Sequence, residues 1–332
     1  MPNNTLVAPA PAAAPSPRQL RTASILGVGH TLAGRAVRSA DIAERLGVDE
    51  QWMTRRTGIV ERRWVAEGET LTGLSLRAGR AALADAGVDA ADLDLVLVAT
   101  MSPDQLCPNA APIVAHALGA ARAGAMDVGS ACTGFVSAMA LATAQVETGR
   151  ANRVLVIGAE VLSKWVDLDD RRTAGLFADG AGAAVVGPGD AAIGPAVLHQ
   201  HGELAGAIFA THAEQKIRMD GHETFKAAVS AFCAASEEAC ALAGVRQDEL
   251  DVIVLHQANQ RILTAVAERM GWPQDRVVDV IGRLGNTSAA SIPTALSIAR
   301  DEGAIRAGDK VLIAGVGAGF TSGAIVLDWG LA

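Results

Sequence analysis

The chain has 332 residues, half of them hydrophobic and 19% charged, with a formal net charge of −8. That length exceeds a typical single core and predicts two domains or two fused halves. The acidic balance argues against a general nucleic-acid binder. The four cysteines, Cys107, Cys132, Cys233 and Cys240, form no CxxC pair and no His-rich spacing, which speaks against a zinc site or a disulfide framework and fits a reducing cytoplasm.

The first 20 residues carry repeated Pro and Ala and lack a basic stretch before an apolar one. They read as a disordered tail rather than a signal peptide. Beyond them, helical patterns are predicted over 71–86, 132–148, 224–243 and 259–270. Short continuous apolar runs predict strands at Leu95–Ala99, Val154–Ile157, Val252–Leu255 and Val311–Ala314, the pattern of sheets covered on both faces. Val128 to Val146 carries no charge. Its Gly, Ser, Thr and Gln residues make it a poor membrane span, and it is predicted to be a central buried helix.

Two pairs of segments repeat at one offset. "AGVDAADLDLVLV" from Ala86 matches "AGVRQDELDVIVL" from Ala243, and "RVLVIG" from Arg153 matches "KVLIAG" from Lys310, each 157 residues apart. A shared offset means a duplicated half. The predicted fold is α/β, built from two similar halves over 21–190 and 191–332, with helices between and outside the sheets. Cys132 then corresponds to Ala289, and functional residues should gather where the halves meet.

Three residues stand out chemically. Cys132, in "DVGSACTGF", falls at the start of its helix. There, unpaired N–H groups and the helix dipole favour a thiolate, and small neighbours would admit a carbonyl. It is equally readable as a small core hydrophobe. His256 ends the strand Val252–Leu255, and Asn286 lies in "GRLGNTSAAS". A Cys, a His and an Asn together form a nucleophile with acid–base and hydrogen-bonding partners. The Gly-rich run "AGVGAGFTSG" from Ala314 lacks the spacing of a dinucleotide or P-loop site, and its use would be to bring backbone N–H groups close to a reacting oxygen. "ADGAGAAVVG" from Ala178 reads as a turn into a strand.

Seven ordered motifs, "WMTRRTGIVER", "VGSACTGF", "LFADGAGAA", "MDGHETFKAAV", "LHQANQRI", "GRLGNTSAASIP" and "GVGAGFTSG", resemble those of the β-ketoacyl-acyl-carrier-protein synthase III enzymes. The resemblance runs from about residue 22 to the end. It implies the thiolase fold, five layers α-β-α-β-α, and a condensing acyltransferase. Cys132 would take the acyl group from acyl-CoA, and His256 and Asn286 would bind the malonyl thioester oxygen. The N–H groups of Cys132 and Ala318 would hold the oxyanion, although the family usually has Gly where Ala318 stands. Trp52, Arg56 and Arg171 match CoA-binding positions, and Asn259 one beside the pantetheine arm. Lys226 and Arg261 match a basic patch for acyl carrier protein. Cys107 matches an often bulky position that reaches the acyl pocket across a homodimer interface, so its small side chain suggests room for a longer or branched acyl group. No metal, separate cofactor, nucleic acid or membrane is expected.

Several residues depart from the family pattern: Ala178, Arg172, His222 and Glu268. The alternative is acyl transfer from CoA to a carrier protein or hydroxyl without condensation. Thiolase degradation would need a second cysteine, which "GVGAGF" lacks. A non-enzymatic subunit would need the nucleophile lost.

Overall fold

The computed structural model describes residues 20–332, so the expected tail over 1–20 lies, apart from Leu20, outside the described residues. The chain begins with β1 (Ala23–Leu32) and a short pair of strands, β2 (Arg35–Arg38) and β3 (Glu61–Trp64), with α1 (Ser39–Leu46) and α2 (Glu50–Thr57) between them. It continues through α3 (Leu71–Ala86), β4 (Leu95–Ala99), α4 (Ala110–Leu118), β5 (Gly124–Val128), α5 (Gly134–Glu147), β6 (Val154–Val161) and β7 (Asp179–Pro188). The second run is β8 (Val197–Gln200), β9 (Ile208–Ala210), β10 (Ile217–Met219), α6 (Gly221–Ala243), β11 (Val252–Leu255), α7 (Gln260–Met270), α8 (Ile281–Leu284), α9 (Ser291–Asp301), β12 (Lys310–Gly317) and β13 (Thr321–Asp328).

The two main sheets share one design. The first has the order β1-β7-β6-β4-β5 and the second β8-β13-β12-β11. In both, the pair that includes the repeat (β4 with β6, β11 with β12) is parallel and the flanking hairpin antiparallel. Where the first sheet has β5 beside β4, the second has only a parallel bridge from Ile253 to Val277.

Strand alternation sorts the side chains into layers. Val96 and Val98 of β4 point to the outer cluster with Leu74, Ala78 and Val114 of α3 and α4. Leu97 and Ala99 point the other way, into a central cluster with Phe135 and Met139 of α5, Ile292 and Leu296 of α9, and Val254 and Ile313 of the second sheet. Ile253, Leu255 and Leu312 face the far side, against Phe232 of α6 and Leu263 of α7. The layers therefore run helix, sheet, helix pair, sheet, helix. No described helix is long and apolar enough to cross a membrane.

Two expectations need correction. The helix predicted from Cys132 begins at Gly134, because Ala131–Thr133 forms a separate 3-10 turn. Nor is α5 covered on every side in the single chain, since Leu141 is 46% exposed and Ala144 is also exposed. An apolar composition on all sides shows only that the helix can be covered there.

The halves approach through glycines. A Cβ on Gly158 of β6 would lie 2.2 Å from the Ala289 carbonyl oxygen. Its repeat partner Gly315, on β12, faces the Cys132 carbonyl oxygen more loosely, at 3.5 Å. Gly158→Ala should therefore overpack a closed site and cost about 1–3 kcal/mol. Gly315→Ala should cost little. Midpoints of denaturant unfolding check this: a clear drop for the first and near wild-type behaviour for the second.

Candidate active site

Cys132 stands at the end of β5 because a turn there reverses the chain into α5. Ala131 adopts a left-handed conformation, φ 44°, which costs a residue with a side chain on the order of 1–3 kcal/mol and is characteristic of functional sites. The Thr133 hydroxyl fixes the turn by donating to the Ser130 carbonyl at 2.7 Å, and it reaches Thr321 Oγ1 of β13 at 2.8 Å. The repeat-related turn Ser288–Ala290 does the same thing: Ser288, the counterpart of Ala131, has φ 49°. The Gly-rich run has a steric purpose as well, since a Cβ on Gly317 would lie 2.8 Å from the Cys132 backbone nitrogen.

One cavity of about 490 Å³ is lined by Cys132, His256, Asn286 and Ala318, together with Trp52, Arg56, Arg171, Asn259 and Arg261. Nine of the eleven expected site residues thus meet in one place. The other two lie apart. Lys226 is exposed on α6, next to the cavity residue Phe225, and Cys107 is exposed on the loop before α4.

His256 is fixed from behind. Its Nδ1 lies 2.5 Å from Ser291 Oγ, which also accepts the Gln257 N–H at 3.3 Å. The serine hydroxyl thereby holds the plane of the ring and leaves Nε2 facing the cavity side. Burial pushes the imidazole down to about 3, so it is neutral at physiological pH. Asn286 is equally constrained: Oδ1 accepts the Ser288 N–H at 2.9 Å and Nδ2 donates to the Ala258 carbonyl at 3.3 Å, leaving one amide hydrogen. Gly285 must lack a side chain, as its φ is 74° and a Cβ would meet Arg62 Cβ and Ala178 Cβ at 2.8 and 2.9 Å. Ala178 fits here because its methyl rests where Gly285 has none.

The thiolate expected from the helix dipole is not the resting state. Burial pushes the Cys132 thiol up to about 12, the nearby Ser288 hydroxyl opposes this, and the Glu160 carboxylate adds to the rise. Desolvation outweighs the local dipole. Sequence reasoning missed Glu160, Ser288 and Ser291. A signal for Glu160 was present, because it is a lone charge inside the apolar run Val154–Val161.

At the cavity mouth, the Arg56 guanidinium lies over the Trp52 ring at 4.5 Å, and Arg171 donates to the Leu46 carbonyl at 3.1 Å. Asn259 caps α7, accepting the Arg261 N–H at 2.9 Å and donating to the Arg56 carbonyl at 3.0 Å. It thereby ties α7 to α2. Arg172 pairs with Asp170 at 3.0 Å, and His222 lines the cavity beside the N-terminus of α6. Glu268 lies exposed on α7, two turns from Arg261. Among the described residues no group of His, Cys, Asp and Glu side chains could hold a metal ion.

A half-buried cysteine beside a neutral histidine and an amide, in a duplicated five-layered fold, defines a thiolase-fold acyltransferase of the condensing kind. Family profiles described as 3-oxoacyl-[acyl-carrier-protein] synthase III match residues 126–202, and the C-terminal part of that family matches 240–329. A β-ketoacyl-[acyl-carrier-protein] synthase III of Rhodobacter capsulatus is 44% identical over 320 residues, 92% of this chain and 99% of its own. The 3-oxoacyl-[acyl-carrier-protein] synthase III of Aquifex aeolicus superposes with a TM-score of 0.90 at 38% identity, covering 92% of this chain and 100% of its own. The priming β-ketosynthase of the R1128 polyketide pathway gives 0.91 at 36% identity, covering 96% and 100%. The chain belongs to the β-ketoacyl-[acyl-carrier-protein] synthase III family.

His256 carries a pH signature. Its pKa lies below the ordinary value of 6.5, so the unfolded chain binds the extra proton first as pH falls. Stability from the buried neutral ring is complete above about 6.5 and declines toward about 3. His256→Gln should flatten that acid limb in unfolding midpoints taken across this range. Ser291→Ala should free the ring to turn and lower kcat by about tenfold, the loss of one hydrogen bond's worth of alignment, as measured in steady-state assays.

Proposed function

We propose that the protein condenses an acyl group from acyl-CoA with a malonyl thioester on acyl carrier protein, starting a fatty-acid or polyketide chain. The observation that carries this reading is the single cavity lined by Cys132, His256 and Asn286, whose amide keeps one hydrogen free. Cys132 attacks the acyl-CoA carbonyl, CoA leaves, and the acyl group stays on sulfur as a thioester. The malonyl thioester then enters. His256 and Asn286 donate to its carbonyl oxygen, which becomes an enolate oxygen as CO2 departs. The new carbanion attacks the acyl carbonyl, whose oxygen is received by the N–H groups of Cys132 and Ala318. Preorganised donors of this kind are each worth about 10²–10³ in rate.

The binding roles follow from residue chemistry. Trp52, Arg56 and Arg171 hold the nucleotide end of CoA through stacking and charge, and Asn259 sits beside the pantetheine arm. Lys226 and Arg261 dock the acidic carrier protein, a local positive patch on an acidic chain. Acyl-CoA is a substrate and no separate cofactor is involved. The reaction belongs in the cytoplasm, away from membrane and nucleic acid.

A homodimer completes this reading. Among the described residues β5 pairs only with β4 and leaves its other edge free. Met126 on that strand is 49% exposed, with Leu141 at 46% and Leu106 at 83%. A free edge ringed by apolar side chains favours pairing with a second copy, and that would carry Cys107 toward the partner's acyl pocket.

Intact-protein mass spectrometry with a panel of acyl-CoAs, followed by malonyl-acyl carrier protein, tests the reaction. Wild type should gain one acyl group on Cys132 and then yield a carrier protein bearing the β-ketoacyl mass less CO2. His256→Ala and Asn286→Ala should still acylate but fail to condense. An acyl group that moves to the carrier protein without loss of CO2 would establish the simple acyltransferase instead. Cys107→Phe should shift the preferred starter toward acetyl in the same assay, and an unchanged preference would remove Cys107 from the pocket.

A further inference from the structure

Glu160 is a fully buried carboxylate near the end of β6, with 0% of its surface exposed. Among the described residues its hydrogen-bond partners are all neutral. The Ser102 hydroxyl donates to Oε2 at 2.5 Å, the Met101 N–H at 3.2 Å and the Thr100 hydroxyl at 3.3 Å, while the Ser288 hydroxyl donates to Oε1 at 3.0 Å. A buried carboxylate without a countercharge is expensive to keep, so a purely structural acceptor would be better served by an uncharged side chain. Ser288 has a second neighbour, the Cys132 thiol. The serine hydroxyl thus stands between the sulfur and the carboxylate.

That line crosses the internal twofold. Ser288 is the repeat counterpart of Ala131, and Glu160 is the counterpart of Gly317. Where the second sheet offers an empty glycine beside the Cys132 turn, the first sheet offers a carboxylate beside the Ser288 turn. The two halves differ at both positions, and Ser288 and Glu160 are the members that can carry a proton.

The site needs such a group. Attack by Cys132 as a thiolate requires its proton to go somewhere. His256 is a poor place for it, because burial disfavours the charged imidazolium. We propose that Ser288 and Glu160 form a proton relay for Cys132, a role that rests on Cys132 being the acylated nucleophile. As sulfur bonds to the acyl carbon, its proton passes to Ser288 Oγ, and the serine's own proton passes to Glu160. CoA leaves as the thiolate and is protonated by solvent. When the carbanion later displaces sulfur, the proton returns from Glu160 through Ser288, and the negative charge brought in by the malonyl carboxylate ends on Glu160. Burial pushes the Glu160 carboxyl up to about 7, which suits a group that must both take and return a proton near neutrality.

Other titratable groups on the elements around β6 are engaged elsewhere. Asp179 of β7 accepts from Ser163 and the Val65 N–H. Asp127 of β5 accepts from Ala110 and Ala111. Lys164 donates to the Ser102 and Pro103 carbonyls. His30 of β1 is bonded to Ser297 of α9, where Arg300 pairs with Asp85 of α3 and with Asp301. Arg77 and Arg80 of α3 bond to Glu69 and the Ala117 carbonyl, respectively.

The test is the single-turnover rate of Cys132 acylation by acyl-CoA, read by rapid quench and intact mass across pH. Wild type should show an inflection near pH 7, where Glu160 ionises. Glu160→Gln and Ser288→Ala should acylate at least about tenfold more slowly at neutral pH and lose the inflection, their rates rising with thiol ionisation instead. Glu160→Asp should partly restore it. Ser288→Ala is compatible with the fold, because Ala131 holds the same backbone conformation with a methyl, so it decides the matter if Glu160→Gln misfolds. Glu160→Gln acylating as fast as wild type or faster, or Ser288→Ala keeping the inflection, overturns the relay alone. No adduct on the wild-type protein with any acyl-CoA overturns the nucleophile and the relay together.

Discussion

Everything in this site depends on two strained turns that meet across the internal twofold. Ala131–Thr133 and Ser288–Ala290 hold the same left-handed start, and each lies against the opposite sheet. Gly158 makes one approach possible and Gly317 the other. With a side chain at either glycine the turns would separate, and with them the cysteine of one half from the asparagine and serine of the other. The strain is local and small beside the three apolar clusters that clamp α5 and α9 between the sheets.

The dryness of the same junction sets its electrostatics. Burial drives Cys132 and Glu160 up and His256 down, so all three move toward their uncharged forms. A neutral histidine and a neutral amide can stabilise an enolate without first having to shed a tightly held ion. The cost falls on the nucleophile, whose thiol is harder to ionise in such a place. A helix terminus alone does not offset that, and it begins two residues too late to do so.

Much of this was legible in the chain because it is local or repeated. The 157-residue offset gave the duplication, and unbroken apolar runs gave the strands covered on both faces. Cys132, His256 and Asn286 were visible because each ends an element at a polar interruption. What escaped was set by tertiary contact. Ser291 reads as one more small residue of a helix, and only its place behind His256 gives it a role. Ser288 reads as part of a turn until its backbone angle matches that of Ala131. Glu160 was hidden because the strand was expected to stop at Ile157, leaving the charge in a loop instead of in the core. The open face of α5 was missed for a different reason: composition reports what a surface can tolerate, not what covers it.

The two halves differ most in how β6 joins β7 and how β12 joins β13. The second connection is the three residues Ala318–Phe320, and it closes over the nucleophile. The first spans Leu162–Ala178, and it carries Arg171, Arg172 and Leu176 to the cavity mouth. One copy of the hairpin is therefore a tight lip over Cys132 and the other a doorway. Because the doorway hangs between strands whose pairing it does not supply, a change within it alters the cavity mouth without moving the two turns. Entry and alignment thus rest on separate parts of the fold, one on a loop and the other on a symmetry axis.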